Sequence, residues 1–268
     1  MRKGGNRKKN VAAATLGCAL AVAAFGCKEV ERTPESVGNA GVETSAGEAA
    51  AGEAAGVETS VETSAEKAER LKQLGLALLN YGDRYQELPA VYTVDEAGRP
   101  LHSWRVAILP FLAEHELYKQ IRLDEPWDSE WNSQFHDRAP AILAASNDAS
   151  TTAFSVVVGE ETAFPAEKTR KWEDVADGTS NTLGVVERKT PVCWMDPTQE
   201  LTLENFADEL ARDADGNALA ATLDGAVCVV PVSLDAAALR TAATVAGGEK
   251  RIPFEAIQWT ESPEPTAD

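Results

Sequence analysis

The chain has 268 residues, 43 of them acidic and 25 basic, for a formal net charge of −18 at pH 7. That charge repels nucleic acid and anionic lipid surfaces and aids solubility, so no nucleic-acid partner is expected. With three histidines, four cysteines and no CxxC pair, the chain has no zinc-type ligand spacing, and no cofactor is expected.

Arg2, Lys3, Arg7, Lys8 and Lys9 head the chain, and an uncharged, mostly apolar run follows from Val11 to Gly26. A basic head, a short apolar core and small residues at its end make a secretory signal. At 16 residues the run is shorter than the roughly 18–20 that span a bilayer. It ends Ala24-Phe25-Gly26-Cys27, which resembles a lipobox. Residues 1–26 are therefore expected to be a signal peptide. Cys27 is the expected lipidation site, holding the chain to a cell-envelope membrane on a periplasmic or outer-membrane face. Thr15-Leu16-Gly17-Cys18 is a rival match, but cleavage there would leave a hydrophobic stretch on the mature protein. Because residues 1–26 hold five basic residues and no acid, the remainder carries a charge of −23.

Residues 28–62 are repetitive: Gly41–Ser45 recurs as Gly56–Ser60, and Ala-Gly-Glu-Ala-Ala occurs twice between them. Large apolar residues are nearly absent, so nothing offsets the entropy of ordering. Residues 27–62 are read as the lipidated cysteine and a disordered acidic linker, with a reach of roughly 30–35 Å.

Thr63 and Glu66 have capping-box spacing. Beyond them Leu71, Leu74, Leu78, Tyr81 and Tyr85 share one helical face, and the helix should end between Gly82 and Leu88, before Pro89. Ser103 is placed to cap a second helix from Trp104 to about Arg122, which Pro110 must kink or restart. Residues 124–150 read as loop. Phe154–Val158 and Thr182–Val186 are β-branched runs between turn formers, hence strands. Ala218–Leu223, Asp224-Gly225 and Ala226–Val232 read as a hairpin with a type I′ turn. Ser233 would cap a final helix with Leu239, Ala242, Ala243 and Ala246 inward, stopped at Gly247-Gly248. The expected class is α+β, with one domain over 63–254 and an acidic tail over 255–268.

Export would permit disulfides. Cys193 and Cys228 both lie in apolar segments. They could bridge two strands or remain two unpaired small hydrophobes.

Several segments are similar to a known family. They are Leu71–Leu78 with Asn80-Tyr81; Leu101-His102-Ser103-Trp104-Arg105 leading to Leu109-Pro110; Glu125-Pro126-Trp127-Asp128; Gly159 with Thr162–Pro165; Asp177–Thr182 with Glu187; and Asp224-Gly225 with Ala246–Glu249. In this order they resemble the planctomycete DUF1559 group, whose members usually carry a prepilin-type N-terminal helix. The collinear set covers about residues 66–254. The resemblance implies a pilin-like or pseudopilin-like architecture, a long N-terminal helix laid on an antiparallel sheet. It implies no established activity, although some members are catalogued as solute-binding. Here a lipoprotein signal stands in place of the prepilin segment, which argues for a tethered monomer. The group's histidine before Asp-Gly falls at Ala214, and two of its cysteines fall at Lys67 and about Ala144.

Catalytic patterns are missing. His102, His115 and His136 have no HxxxH or HExxH spacing, and no GxSxG elbow occurs, so the chain is not expected to be an enzyme. Asp213, Asp215, Asn217 and Asp224 stand at positions one, three, five and twelve of a calcium-type loop, but Ala218 replaces the required glycine. They stay as candidate metal oxygens beside the reading of a polar turn. Asp177–Thr182 is either a ligand-lining run or a turn delivering the next strand. Trp127 and Trp131 fill core or form an aromatic surface. The expected function is a lipid-anchored, pilin-related structural or protein-interaction module of the cell envelope with an unidentified protein partner. Trp104, Arg105, Trp127, Asp128 and Asn181 would be keystones, and His102 and Asp177 ligand or structural positions. The alternative is a solute-binding protein with a pocket between the helices and residues 177–182. A third reading is a calcium-dependent pseudopilin-like component.

Overall fold

The computed structural model describes residues 62–146, 148–166, 168–247 and 255–256. The expected signal segment, Cys18, Cys27 and the linker up to residue 61 lie outside the described residues, as does the tail beyond Ala256. Helix α1 spans Ser64–Tyr85. Its start follows from the capping box: Glu66 N donates to Thr63 Oγ1 at 3.3 Å, and Thr63 N donates to Glu66 Oε2 at 2.7 Å. Its end is the left-handed Gln86, φ 63°, whose N–H donates to Gly82 O. Leu71, Leu74 and Leu78 are fully buried as expected, together with Ala68 and Ala77. Tyr85 departs from the stripe at 54 % exposure, because the helix runs out beyond the core there.

Strands β1 (Tyr92–Val94) and β2 (Pro100–Ser103) form an antiparallel pair that the sequence reading missed. Asp95 closes their turn by accepting from Ala97 N and Arg99 N, both at 2.9 Å. The second helix is divided, as Pro110 required: α2 (Trp104–Ile108), a 3-10 turn at Leu109–Leu112 and α3 (His115–Gln120). Ser103 stands at the N-cap of α2, but its hydroxyl makes no capping bond. After the 121–150 region, which holds a 3-10 turn at Asn132–Phe135, the sheet strands begin. They are β3 (Thr151–Ser155), β4 (Val157–Val158), β5 (Leu183–Cys193) and β6 (Leu201–Thr202). A short α4 (Phe206–Glu209), β7 (Ala218–Thr222), β8 (Val227–Val230), α5 (Ala236–Ala243) and β9 (Glu255–Ala256) complete the order. β9 falls just past the expected domain end at residue 254.

β3, β5, β7, β8 and β9 form a five-stranded sheet in that spatial order, antiparallel throughout. β4 pairs separately with β6, in parallel. The class is therefore α+β. Alternation along the strands divides the core in two. Val185, Ala221 and Val227 pack with Leu71, Leu74 and Leu78 of α1. Val186, Ala218, Ala220, Cys228 and Val230 join Phe206, Leu239, Ala242 and Ala243 of α4 and α5. The sheet thus carries helices on both faces.

Two local expectations are corrected. Only Gly225 has positive φ in the β7–β8 turn, at +79°, so the type I′ turn is not formed. Instead Gly225 N donates to Thr222 O at 3.0 Å and Thr222 N to Ala226 O at 2.9 Å, a three-residue loop ending in a left-handed glycine. This loop sits directly on α1: a Cβ on Gly75 would fall 2.7 Å from Gly225 Cα. The cap of α5 is Asp235, accepting from Ala238 N at 2.8 Å, and not Ser233. The helix stops at Thr244, before Gly247, and leaves Ala246 exposed. Asp235 carries the stronger acceptor and shortens the helix to the part that faces the sheet.

Candidate functional site

The His102-Ser103-Trp104-Arg105 segment runs from β2 into α2 and is almost wholly internal. Trp104 and Arg105 are both fully buried, and the guanidinium lies 5.1 Å from the Trp104 ring centroid. Arg105 Nη1 pairs with Glu200 at 2.5 Å, while Nε and Nη2 donate to Phe154 O at 3.1 and 2.6 Å. Glu200, whose side chain is 3 % exposed, also accepts from Val156 N at 3.1 Å. Arg188 reaches the same spot, donating to Ser155 Oγ at 3.4 Å and to Gln199 O. Burial lowers the Arg188 pKa, and the nearby Glu200 carboxylate opposes that shift. The group clamps the β3–β4 break to the segment before β6. Buried charges persist where they are paired, as Arg105 and Glu200 are. Their Nη1–Oε1 contact is an ion pair without hydrogen-bond geometry, and Arg188 Nε has no hydrogen-bond partner among the described residues. Glu200 and Arg188 were not singled out in the sequence.

His102 is buried, with Nε2 3.1 Å from Arg122 O, and burial pushes its pKa below the ordinary 6.5. Trp127 stacks on His136 at 5.0 Å, and His136 Nε2 lies 3.0 Å from Trp127 O. Trp127 N donates to Leu101 O at 2.9 Å, tying this loop to β2. Asp128 is exposed. Trp131 is 40 % exposed and carries Arg122 4.0 Å above its ring, while Trp127 is half-buried against His136.

Asp177 and Asn181 belong to a turn. Asn181 Nδ2 donates to Asp177 O at 2.9 Å, and Gly247 N donates to Asp177 Oδ2 at 2.6 Å, joining the turn to the end of α5. The pocket expected between the helices and this loop does not coincide with any of the three principal cavities found among the described residues. Asp213 Oδ1 accepts from Asp215 N and Asn217 N, and Asn217 Oδ1 accepts from Val232 N. Asp224 lies at the far end of β7, where its carboxylate accepts from Thr222 Oγ1 and Ala226 N. The four candidate metal residues therefore do not converge. Cys193 and Cys228 are free thiols, with Cys228 pushed up to about 12 by burial. Cys228 pairs with Ala220, which pairs with Val186, leaving Cys193 seven residues further along β5. That is about 23 Å at the usual strand rise, far beyond disulfide reach.

One cavity of about 570 Å³ opens between the first turns of α1 and the sheet. Its floor is Ala65, Ala68, Ala218, Leu219 and Val229, and its rim carries Lys67, Glu187, Arg212, Asp213 and Asn217. Lys67 Nζ pairs with Glu187 at 2.6 Å across it.

A family model described as a protein of unknown function (DUF1559), labelled SBP_bac_10, matches residues 68–165. Over that segment the chain is similar to the DUF1559 family. No curated protein and no solved structure matches it. The matched segment contains α1 from its second turn, the His102–Arg105 run, Trp127 and β3, so the buried cluster centred on Arg105 draws Arg105, Trp104 and the 154–156 stretch from it. Glu200 and Arg188 come from outside the matched segment. The positions where DUF1559 cysteines would fall are occupied by other contacts. Lys67 pairs with Glu187, and Arg70, one turn on, donates to Ile142 O at 3.1 Å and to Ala144 O. Arg70 also pairs with Glu62 at 2.7 Å and lies 4.7 Å above the Phe154 ring.

Proposed function

We propose that this protein is a lipid-anchored, pilin-related structural or protein-interaction module of the cell envelope, without catalytic activity. The observation that carries the reading is the employment of the motif residues. Trp104, Arg105, Trp127 and Asn181 hold one part of the fold against another, through core packing, an ion pair or backbone bonds. The packing of α1 against one face of the sheet supports the pilin-related reading. The decisive experiment is metabolic labelling with tritiated palmitate in a lipoprotein-processing host, with fractionation of the envelope. Label should enter the wild type and be lost in Cys27→Ser while persisting in Cys18→Ser. Unlabelled wild type in the soluble fraction would overturn the anchor. A sedimentation mass above that of one chain would overturn the tethered monomer.

A second reading, a solute-binding module, is favoured by the cavity under the first turns of α1, whose size suits a small ligand. The solute-binding sense of the family label points the same way. No comparable observation favours the calcium-dependent reading.

A further inference from the structure

We infer that the cavity between α1, β7 and β8 is a binding site for a short apolar peptide with free termini. The inference rests on the solute-binding reading and names its ligand class. The rim holds donors and acceptors with capacity left after their internal bonds. Lys67 gives one bond to Glu187 Oε1, and Arg212 gives Nη1 to Gly216 O. Asp213 Oδ1 is taken by the two backbone amides of its turn. Among the described residues this leaves two N–H groups of Lys67 and most of the Arg212 guanidinium on one side. On the other it leaves the second carboxylate oxygens of Glu187 and Asp213.

A purely anionic ligand would meet the spare carboxylates, and a purely cationic one the two basic groups. A zwitterion satisfies both sets, its carboxylate toward Lys67 and Arg212 and its ammonium toward Glu187 and Asp213. Between them the floor is apolar, with Leu219 and Val229 partly open and lining it. At about 570 Å³ the cavity is roomy for one amino acid, while a dipeptide with two aliphatic side chains can bridge both charge sets. The existing Lys67–Glu187 pair does not forbid this. The Lys67 side chain is 30 % exposed and the Glu187 side chain 10 %, so the pair is part-buried; a ligand that supplies a charge to each partner offsets the loss of their mutual contact.

The test is calorimetric titration of Leu-Leu into the full-length chain at pH 7 and low ionic strength, beside N-acetyl-Leu-Leu and Leu-Leu amide. Saturable binding of Leu-Leu is expected, with each blocked peptide and the Arg212→Gln chain at least tenfold weaker. Arg212 is on the cavity rim, so this variant keeps the fold, which circular dichroism checks. Lys67→Gln should weaken binding by a similar factor. Absence of heat with Leu-Leu, or equal affinity for the blocked peptides, overturns the inference. Binding of only the acetylated or only the amidated peptide also overturns it but leaves a solute-binding reading standing, now for a singly charged ligand. Failure of all three peptides removes the cavity as support for that reading.

Discussion

Glu200 offers the sharpest test of the packing argument. Glu200→Gln keeps the side chain's shape and removes its charge. The charge it abandons is Arg105, which has no exposure at all and sits 2.5 Å from the carboxylate. A unit pair about 4 Å apart at an effective dielectric near 20 is worth about 4 kcal/mol. Truncating one member of a buried pair costs about 3–5 kcal/mol. The glutamine carbonyl can still accept one bond from Arg105, which recovers part of this, but Arg188 also loses the carboxylate that supports its charge. The expected loss is about 3 kcal/mol, a large share of the roughly 5–15 kcal/mol that holds a domain folded. Equilibrium urea denaturation at pH 7, followed by far-ultraviolet circular dichroism, reads it directly. With a slope of about 1–3 kcal/mol per molar, the midpoint should fall by about 1–3 M and the slope should stay constant. Adding Arg105→Met should cost less than its effect alone by more than about 1.5 kcal/mol, since the two sites are coupled. A Glu200→Gln chain within about 0.5 kcal/mol of wild type, or strict additivity in the double variant, refutes the reasoning.

Three further outcomes follow from the same structure. Gly225→Ala must hold an alanine at φ +79° with its Cβ 3.3 Å from Leu79 Cδ1, and should cost about 2–3 kcal/mol in the same urea assay; no loss would mean the turn can relax. Arg70→Ala removes two donors to backbone carbonyls at Ile142 and Ala144 together with the Glu62 pair, so a loss of about 2–4 kcal/mol is expected, with hydrogen exchange accelerated first in 142–145. His102 is the pH-sensitive group. Its folded pKa lies below the unfolded 6.5, so the unfolded chain binds the proton first, and the stability it contributes is complete above that value and lost as pH falls below it. The thermal midpoint should therefore drop from pH 7.5 to pH 5.5 by less in His102→Gln than in wild type; equal drops would remove His102 as the cause.

Which of these features were legible in the sequence depends on how local their physics is. The Thr63–Glu66 capping box, the restart at Pro110 and the position of the β7–β8 hairpin are decided within a few residues, and all three are found. The hairpin's turn type was not legible, because Asp-Gly fits either a two-residue or a three-residue loop and the pairing of Ala221 with Val227 decides between them. Ser233 and Asp235 are both good caps, and the extent of α5 buried against the sheet chooses the second. The buried cluster could be read only in part. Arg105 sat in a motif, but Glu200 is one of 43 acids, and its role arises from a contact 95 positions away. The same distance problem hid the meeting of Gly75 and Gly225: each glycine is visible, and their contact is not.

The place where α1 begins has a mechanical consequence. Any tension applied through the chain ahead of Thr63 enters the domain at the first turns of that helix, beside the Ala218 end of the central strand β7. Load would fall first on the capping box, Lys67–Glu187 and the three Arg70 bonds, and only afterwards on Leu71 and Leu74 in the core. A pulled domain would therefore yield by peeling α1 turn by turn from its N-terminal end, with the Gly75–Gly225 crossing as the next stop.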